Sequence, residues 1–306
     1  MLATPRFLSL PNADLDSADV VILPVPYERT VTYRRGTAEG PAAILAASEQ
    51  LEFYEEDRAW SPALYMRHSV QAPVSVVSET EAGFHEQLFR EVVSLPEHPL
   101  FIALGGEHSI TPALVFARMP EGGTVVQIDA HADLRAEYHG SVFNHACPMY
   151  RIWKRGYRLI QIGIRSLHAE EARIIDEADD ITTYFDRGLG YPDRWQALLS
   201  HLDNLSGPVW LTIDLDGLDP SLIPGVGTPQ PGGLSWYQVL DIVDSLTTHS
   251  GIVLRGIDIV ELIPDANKVS DIVAAKLVQK CISYWGMARG FHRRNPEGSQ
   301  CGIDDE

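Results

Sequence analysis

Three ionisable residues alternate at the end of an apolar run in this chain: Asp129-Ala130-His131-Ala132-Asp133, directly after TVVQI. In extended backbone alternate side chains share a face, so the two aspartates and the histidine converge while the alanines keep the opposite face small and dry. Such groups, gathered at a buried strand end, repel one another and desolvate badly without a cation. A solvated loop with two acids and a histidine is the plainer alternative. The pattern then recurs. Asp214-Leu215-Asp216 follows VWLTI, again with two carboxylates on one face, and Asp219-Pro220 reads as a turn. Alone, a DxD is often a solvated turn. A third element, Gly105-Gly106-Glu107-His108-Ser109, follows LFIAL, its glycines suited to a sharp turn and a close backbone approach. A lone histidine there is more often a cap or packing residue. All three elements follow strands, and open α/β sheets place their sites outside the carboxyl ends of strands.

The set is then two histidines and four aspartates: His108, Asp129, His131, Asp133, Asp214 and Asp216. One metal does not need six such ligands; two metals with bridging carboxylates do. The oxygen-rich, cysteine-free set suits a hard or borderline divalent ion, Mn²⁺ best, with Fe²⁺, Co²⁺, Ni²⁺ and Zn²⁺ compatible. A pair of them would acidify a bridging water to hydroxide and clamp a reaction centre.

Strand-like runs that would position these residues are read at 19–24, 70–77, 100–104, 124–129, 158–164, 181–185, 209–214 and 253–258. Several are wholly apolar, which indicates burial on both faces and hence a parallel sheet covered by helices. Helical patterns alternate with them at 41–54, 81–94, 110–117, 148–155, 169–178, 193–205, 236–247 and 269–284, the first opened by Pro41. Uninterrupted alternation predicts one doubly wound domain over 1–287. The polar stretch 288–306 has little periodicity and reads as a mobile C-terminal tail.

Composition narrows the partners. The 306 residues carry a formal net charge of −18, which argues against nucleic acid and anionic membrane surfaces. An acidic surface suits a cationic small substrate, although solubility alone also explains it. The three cysteines are too few and scattered for a disulfide framework or a CxxC metal site. With no secretory signal and no run long enough to span a membrane, the cytoplasm is the expected compartment.

GGEHS, DAHAD, IDLDGLDPS with the downstream GTPQPGGL, and GIDIVEL together resemble the ureohydrolases, that is arginase, agmatinase and relatives, over about residues 24–284. The resemblance implies a three-layer αβα fold with an eight-stranded, mostly parallel sheet, assembling as homo-oligomers (trimers or hexamers). It implies that His108, Asp129, Asp133 and Asp214 hold one Mn²⁺ and that Asp129, His131, Asp214 and Asp216 hold the other, Asp129 and Asp214 bridging. Glu261 matches the family glutamate that pairs with the substrate guanidinium, and His145, in FNHAC beside Asn144, matches the catalytic histidine. Asn144 is taken with them as a substrate-binding residue. His139 is a rival for the histidine role, and a structural cap or salt bridge is the plainer alternative for Glu261.

A guanidinium carbon is a poor electrophile, so its attack needs a strong nucleophile at neutral pH. Asp216 is the expected first proton acceptor and His145 the later proton exchanger. Arginases resemble one another in an SGN-type segment before the catalytic histidine; here Gly140-Ser141-Val142-Phe143-Asn144-His145 lacks it. That disfavours arginine and favours a tail without the α-carboxylate. Agmatine, hydrolysed to urea and putrescine, is the expected substrate. Guanidinobutyrate, guanidinopropionate, guanidine and formiminoglutamate are alternatives, as is a catalytically silent metal-binding subunit. Ala146 and the IVELIPD segment depart from the commoner family pattern.

Overall fold

The computed structural model describes residues 5–294. Eight strands, β1 (Val20–Val25), β2 (His68–Val70), β3 (Leu100–Gly105), β4 (Thr124–Ile128), β5 (Arg158–Ile164), β6 (Ile181–Phe185), β7 (Gly207–Asp214) and β8 (Ile252–Val260), form one sheet. Its order is β2-β1-β3-β8-β7-β4-β5-β6, and every pairing is parallel, so the expected eight-stranded sheet holds without an antiparallel member.

The strands alternate between two apolar layers. Val20, Ile22, Ile102, Ile128, Leu211 and Ile259 face one; Val21, Leu23, Phe101, Ala103, Val125 and Val260 face the other. The first is covered by helices α1 (Gly40–Ser48), α7 (Pro192–Leu202), α8 (Trp236–Thr248) and α9 (Val269–Ala288). The second is covered chiefly by α2 (Glu81–Val93), α3 (Thr111–Arg118) and α4 (Pro148–Trp153), with α5 (Ala169–Glu177) at its margin. A one-turn helix, α6 (Asp186–Leu189), follows β6. The result is three layers, αβα. Local chemistry sets the helix starts: Pro41, Pro112, Pro148 and Pro192 lie in first turns, and Ser235 with Gln238 makes a capping box for α8.

Several expected bounds are corrected. The strand read at 70–77 is only His68–Val70; beyond it Gln71 and Val74 still donate to carbonyls of β1, but Pro73, which has no N–H, interrupts the ladder on this edge. The helix read at 41–54 ends at Ser48, and that read to 284 continues to Ala288. The stretch from 288 begins packed: Phe291 is buried with its ring 5.6 Å from that of Trp285, and Arg294 pairs with Asp19 at 3.0 Å. The remainder of the expected tail lies outside the described residues.

Candidate metal centre

Consecutive strands in the middle of the sheet, β3, β8, β7 and β4, supply the site from their carboxyl ends. β3 and β4 are sequential in the chain but stand three places apart, because β8 and β7 fill the gap between them. Ile128 pairs with Ile213, which brings Asp129 and Asp214, each one residue on, to the same level. Two glycines make the approach possible. A Cβ on Gly106 would lie 2.0 Å from the Tyr27 carbonyl oxygen, and one on Gly217 would lie 2.7 Å from the Asp129 nitrogen.

The six sequence-derived residues converge. His108 Nδ1 lies 3.1 Å from Asp129 Oδ2, 3.1 Å from Asp133 Oδ2 and 3.4 Å from Asp214 Oδ2. His131 Nδ1 lies 3.0 Å from Asp216 Oδ2 and 3.6 Å from Asp129 Oδ1. Asp129 thus turns one oxygen to each histidine, the arrangement of a carboxylate shared between two positions. All six are buried except His131, which is partly exposed. Asp133 holds a left-handed φ of 53° and Glu261 one of 67°, strain of the kind concentrated at functional sites.

Whether a cation fits is decided at His108. Its Nε2 lies 2.9 Å from Thr212 Oγ1, and that hydroxyl donates to Asp258 Oδ1 at 2.7 Å. Asp258 also accepts from Thr111 and from the Trp210 indole, the bonding of an ionised carboxylate. With its one proton committed, Thr212 accepts from His108 Nε2–H. The bare Nδ1, buried without a hydrogen-bond partner, then aims its lone pair at three carboxylates. A divalent ion satisfies that set. Without one a proton takes its place: although burial opposes charge, the neighbouring aspartates raise His108 and His131 well above the imidazole range. Burial, reinforced by the other carboxylates, lifts Asp133 to about 7 and raises Asp214 well above the usual carboxylate range.

Four of these ligands, His108, His131, Asp133 and Asp214, border a cavity of about 290 Å³, lined also by Thr32, Arg135, Tyr138, His145, Ser166 and Glu261. Glu261 Oε1 accepts from the His108 backbone N–H at 2.6 Å; Oε2 takes no hydrogen bond. A structural role for this glutamate is therefore real, and half of its carboxylate remains available. Burial raises its pKa, helped by the nearby Glu107.

His145 reaches the same cavity, whereas His139 lines only a neighbouring one. Thr30 Oγ1 accepts from the His145 backbone N–H at 2.9 Å, donates to Glu107 Oε1 at 2.8 Å, and lies 3.3 Å from His145 Nδ1. Glu107 accepts four donors in all, from Arg29, Thr30 and Ser109. Thr30 therefore accepts from Nδ1–H, and Nε2 is left as an acceptor. Burial, chiefly, lowers the His145 pKa to about 4, so the ring is neutral near pH 7. Asn144 is not brought to the cluster: its side chain accepts from the Ala146 N–H, and it borders the neighbouring cavity.

The supporting groups Thr30, Glu107, Arg165, Thr212 and Asp258 were not singled out from sequence. Arg165 donates to the carbonyls of Gly163, Asp216, Gly217, Leu218 and Gln230, fastening the loop that carries Asp216. Asp258 alone left a signal, a charge inside the apolar strand GIDIV, which burial allows only when partnered.

Comparison with known proteins agrees with this architecture. The chain is 38% identical over 300 residues to the N(1)-aminopropylagmatine ureohydrolase of Synechocystis sp., covering 92% of this chain and 96% of that one. It is 34% identical over 275 residues to the agmatinase of Pyrococcus horikoshii, covering 89% and 93%. The crystal structure of the agmatine ureohydrolase of Thermoplasma volcanium superposes with a TM-score of 0.78 at 30% identity, covering 89% of this chain and 92% of that one. The profile of the Arginase family matches residues 18–283, nearly the whole described sheet and its helices, and the chain belongs to the arginase family of ureohydrolases.

Proposed function

We propose that this chain hydrolyses a guanidino amine to urea and the free amine, using two divalent cations held by His108, Asp129, Asp133 and Asp214 on one side and Asp129, His131, Asp214 and Asp216 on the other. Manganese is the ion we assign, and agmatine, giving putrescine, is the simplest substrate. The observation that carries this reading is one cavity lined by His108, His131, Asp133 and Asp214, with Asp129 and Asp216 against their histidines, together with a glutamate, Glu261, whose Oε2 has no hydrogen-bond partner among the described residues.

When bound, the two cations supply the Lewis acidity that makes a water nucleophilic near neutral pH. The chain's own groups do the rest. Glu261 Oε2 receives guanidinium N–H groups in a charge-assisted bond and fixes the carbon. Asp216 accepts a proton as the water oxygen bonds to carbon and returns it to the leaving amine nitrogen as the C–N bond breaks; Thr228 donates to its Oδ2 at 3.1 Å and the Ala130 N–H to its Oδ1 at 3.1 Å, which hold its orientation. His145 Nε2, neutral and facing the cavity, exchanges protons between the site and solvent. A second reading, an aminopropyl-extended agmatine, is favoured by the cavity adjoining the site and by the similarity to the N(1)-aminopropylagmatine ureohydrolase of Synechocystis sp..

The chain is assigned to the cytoplasm as a homo-oligomer, trimeric or hexameric, with no nucleic-acid or membrane partner; among the described residues no helix is long and apolar enough to cross a membrane. The test is a panel of guanidino compounds with added Mn²⁺ or Ni²⁺, following urea and comparing kcat/KM. Agmatine or its extended form should lead. Bound metal with no urea from any of them would overturn the proposal.

A further inference from the structure

Beside the catalytic cavity lies a second one of about 380 Å³, lined by Thr30, Thr32, Glu81, Ser141 and Asn144 among others. Thr32 borders both cavities, and the adjacent residues Asn144 and His145 each front one of them. The two cavities are therefore neighbours, meeting at Thr32 and at the 144–145 segment. We propose that the second is a subsite for the distal ammonium of an extended guanidino polyamine, with Glu81 as the anionic partner; this rests on the reading that the chain hydrolyses a guanidino amine.

Glu81 is the single carboxylate lining that cavity, half-buried in the first turn of α2. Ser141 donates to its Oε2, joining the loop that carries His145 to α2, and among the described residues Oε1 has no hydrogen-bond partner. The other charged residue lining the space, Arg29, is committed elsewhere. Its terminal nitrogens donate to the carbonyls of Ser78 and Glu79, and its guanidinium lies over the Tyr27 ring at 5.6 Å. What remains open as acceptors are the Glu81 carboxylate oxygen and the Thr32 hydroxyl, and the negative charge of the first suits an ammonium and not a carboxylate tail.

The geometry also gives the reading direction. Glu261 would hold the guanidinium at the buried end, and Glu81 the far amine across the Thr32 rim. A short amine such as agmatine would use only the first cavity. A chain with an aminopropyl extension would use both, so the two substrates separate the two roles.

The experiment compares kcat/KM for agmatine and N(1)-aminopropylagmatine in the metal-loaded wild type, Glu81→Gln and Ser141→Ala, and measures spermidine and putrescine binding by calorimetry. Loss of a half-buried charge-assisted contact corresponds to about tenfold. Glu81→Gln should lower kcat/KM for the extended substrate, and spermidine affinity, by about that factor, with agmatine and putrescine changed less than about twofold. Ser141→Ala keeps the charge and should have the smaller effect. Equal losses on both substrates, or a Ser141→Ala loss as large as that of Glu81→Gln, would assign Glu81 to loop structure and overturn the subsite. A preference for 4-guanidinobutyrate that Arg29→Gln abolishes would make the cavity an anion site and overturn it as well. If the wild type releases no urea from either amine, the functional reading fails, and the spermidine comparison still decides the subsite.

Discussion

Thr212 Oγ1 stands 2.9 Å from Nε2 of His108, and its own proton goes to Asp258, so a threonine sets the tautomer of a metal-facing histidine. The pairing follows from register: Thr212 is aligned with Asp258 across β7 and β8, and His108 turns in from the end of β3, the neighbour of β8. Partners behind a metal ligand typically contribute 10–100-fold in metal affinity. Thr212→Val, close in volume, should therefore weaken metal binding by about that range while the far-ultraviolet circular dichroism stays unchanged. Unaltered affinity in a chelator competition would show that the hydroxyl does not set the ring.

Metal uptake should release protons. In the metal-free chain the aspartates raise His108 and His131 well above the imidazole range, and burial lifts Asp133 to about 7 and Asp214 well above the carboxylate range. Raised groups keep their protons as pH rises, so a cation must displace them, and affinity climbs with pH until the ligands titrate. Calorimetry in buffers of different ionisation enthalpy should report net proton release at about pH 7. Zero release there would contradict the protonated site.

His145→Ala should lower turnover by about 10²–10⁴-fold with metal content unchanged. Thr30→Val, which removes the acceptor for Nδ1–H, should give a smaller loss of the same kind and shift the pH–rate profile. Loss of bound metal in His145→Ala would sink the proton-exchange role.

Arg165 fastens five carbonyls around the Asp216 loop with one guanidinium. Arg165→Ala should leave those acceptors poorly satisfied, cost about 2–4 kcal/mol of stability, and reduce metal stoichiometry from two toward one. Lysine has a single point charge and cannot replace the planar fork, so Arg165→Lys should recover little. Full recovery by lysine would mean that charge alone suffices.

Lys280 lies buried among Glu55, Glu56 and Asp57, away from the site. Its hydrogen bonds lower Glu56 to about 2 and lower Asp57, aided there by Tyr284, while burial raises Glu55. Lys280→Met strands the buried Glu55 and should cost about 3–5 kcal/mol in urea unfolding at neutral pH. Carboxylates depressed in the folded state stabilise it above their unfolded pKa and lose that contribution as pH falls toward the folded value. The wild-type advantage should therefore shrink from about pH 4.5 toward 2. A difference independent of pH would show that packing, not charge, holds the cluster.

What was legible in sequence was local. Asp129, His131 and Asp133 share a face because strand side chains alternate, and Asp214 and Asp216 repeat the device, so each half of the cluster could be read from spacing alone. The apolar strands likewise announced a parallel sheet. Tertiary structure decided what depends on strand order: that β8 and β7 stand between β3 and β4, so that His108, Glu261, Asp214 and Asp129 end side by side. It also decided the partners, Thr30 for His145 and Thr212 with Asp258 for His108, and the left-handed backbone at Asp133 and Glu261. The reason is physical. Alternation and capping act within a few residues, whereas these contacts join positions 46 to 115 residues apart, and only the packed sheet holds them in register.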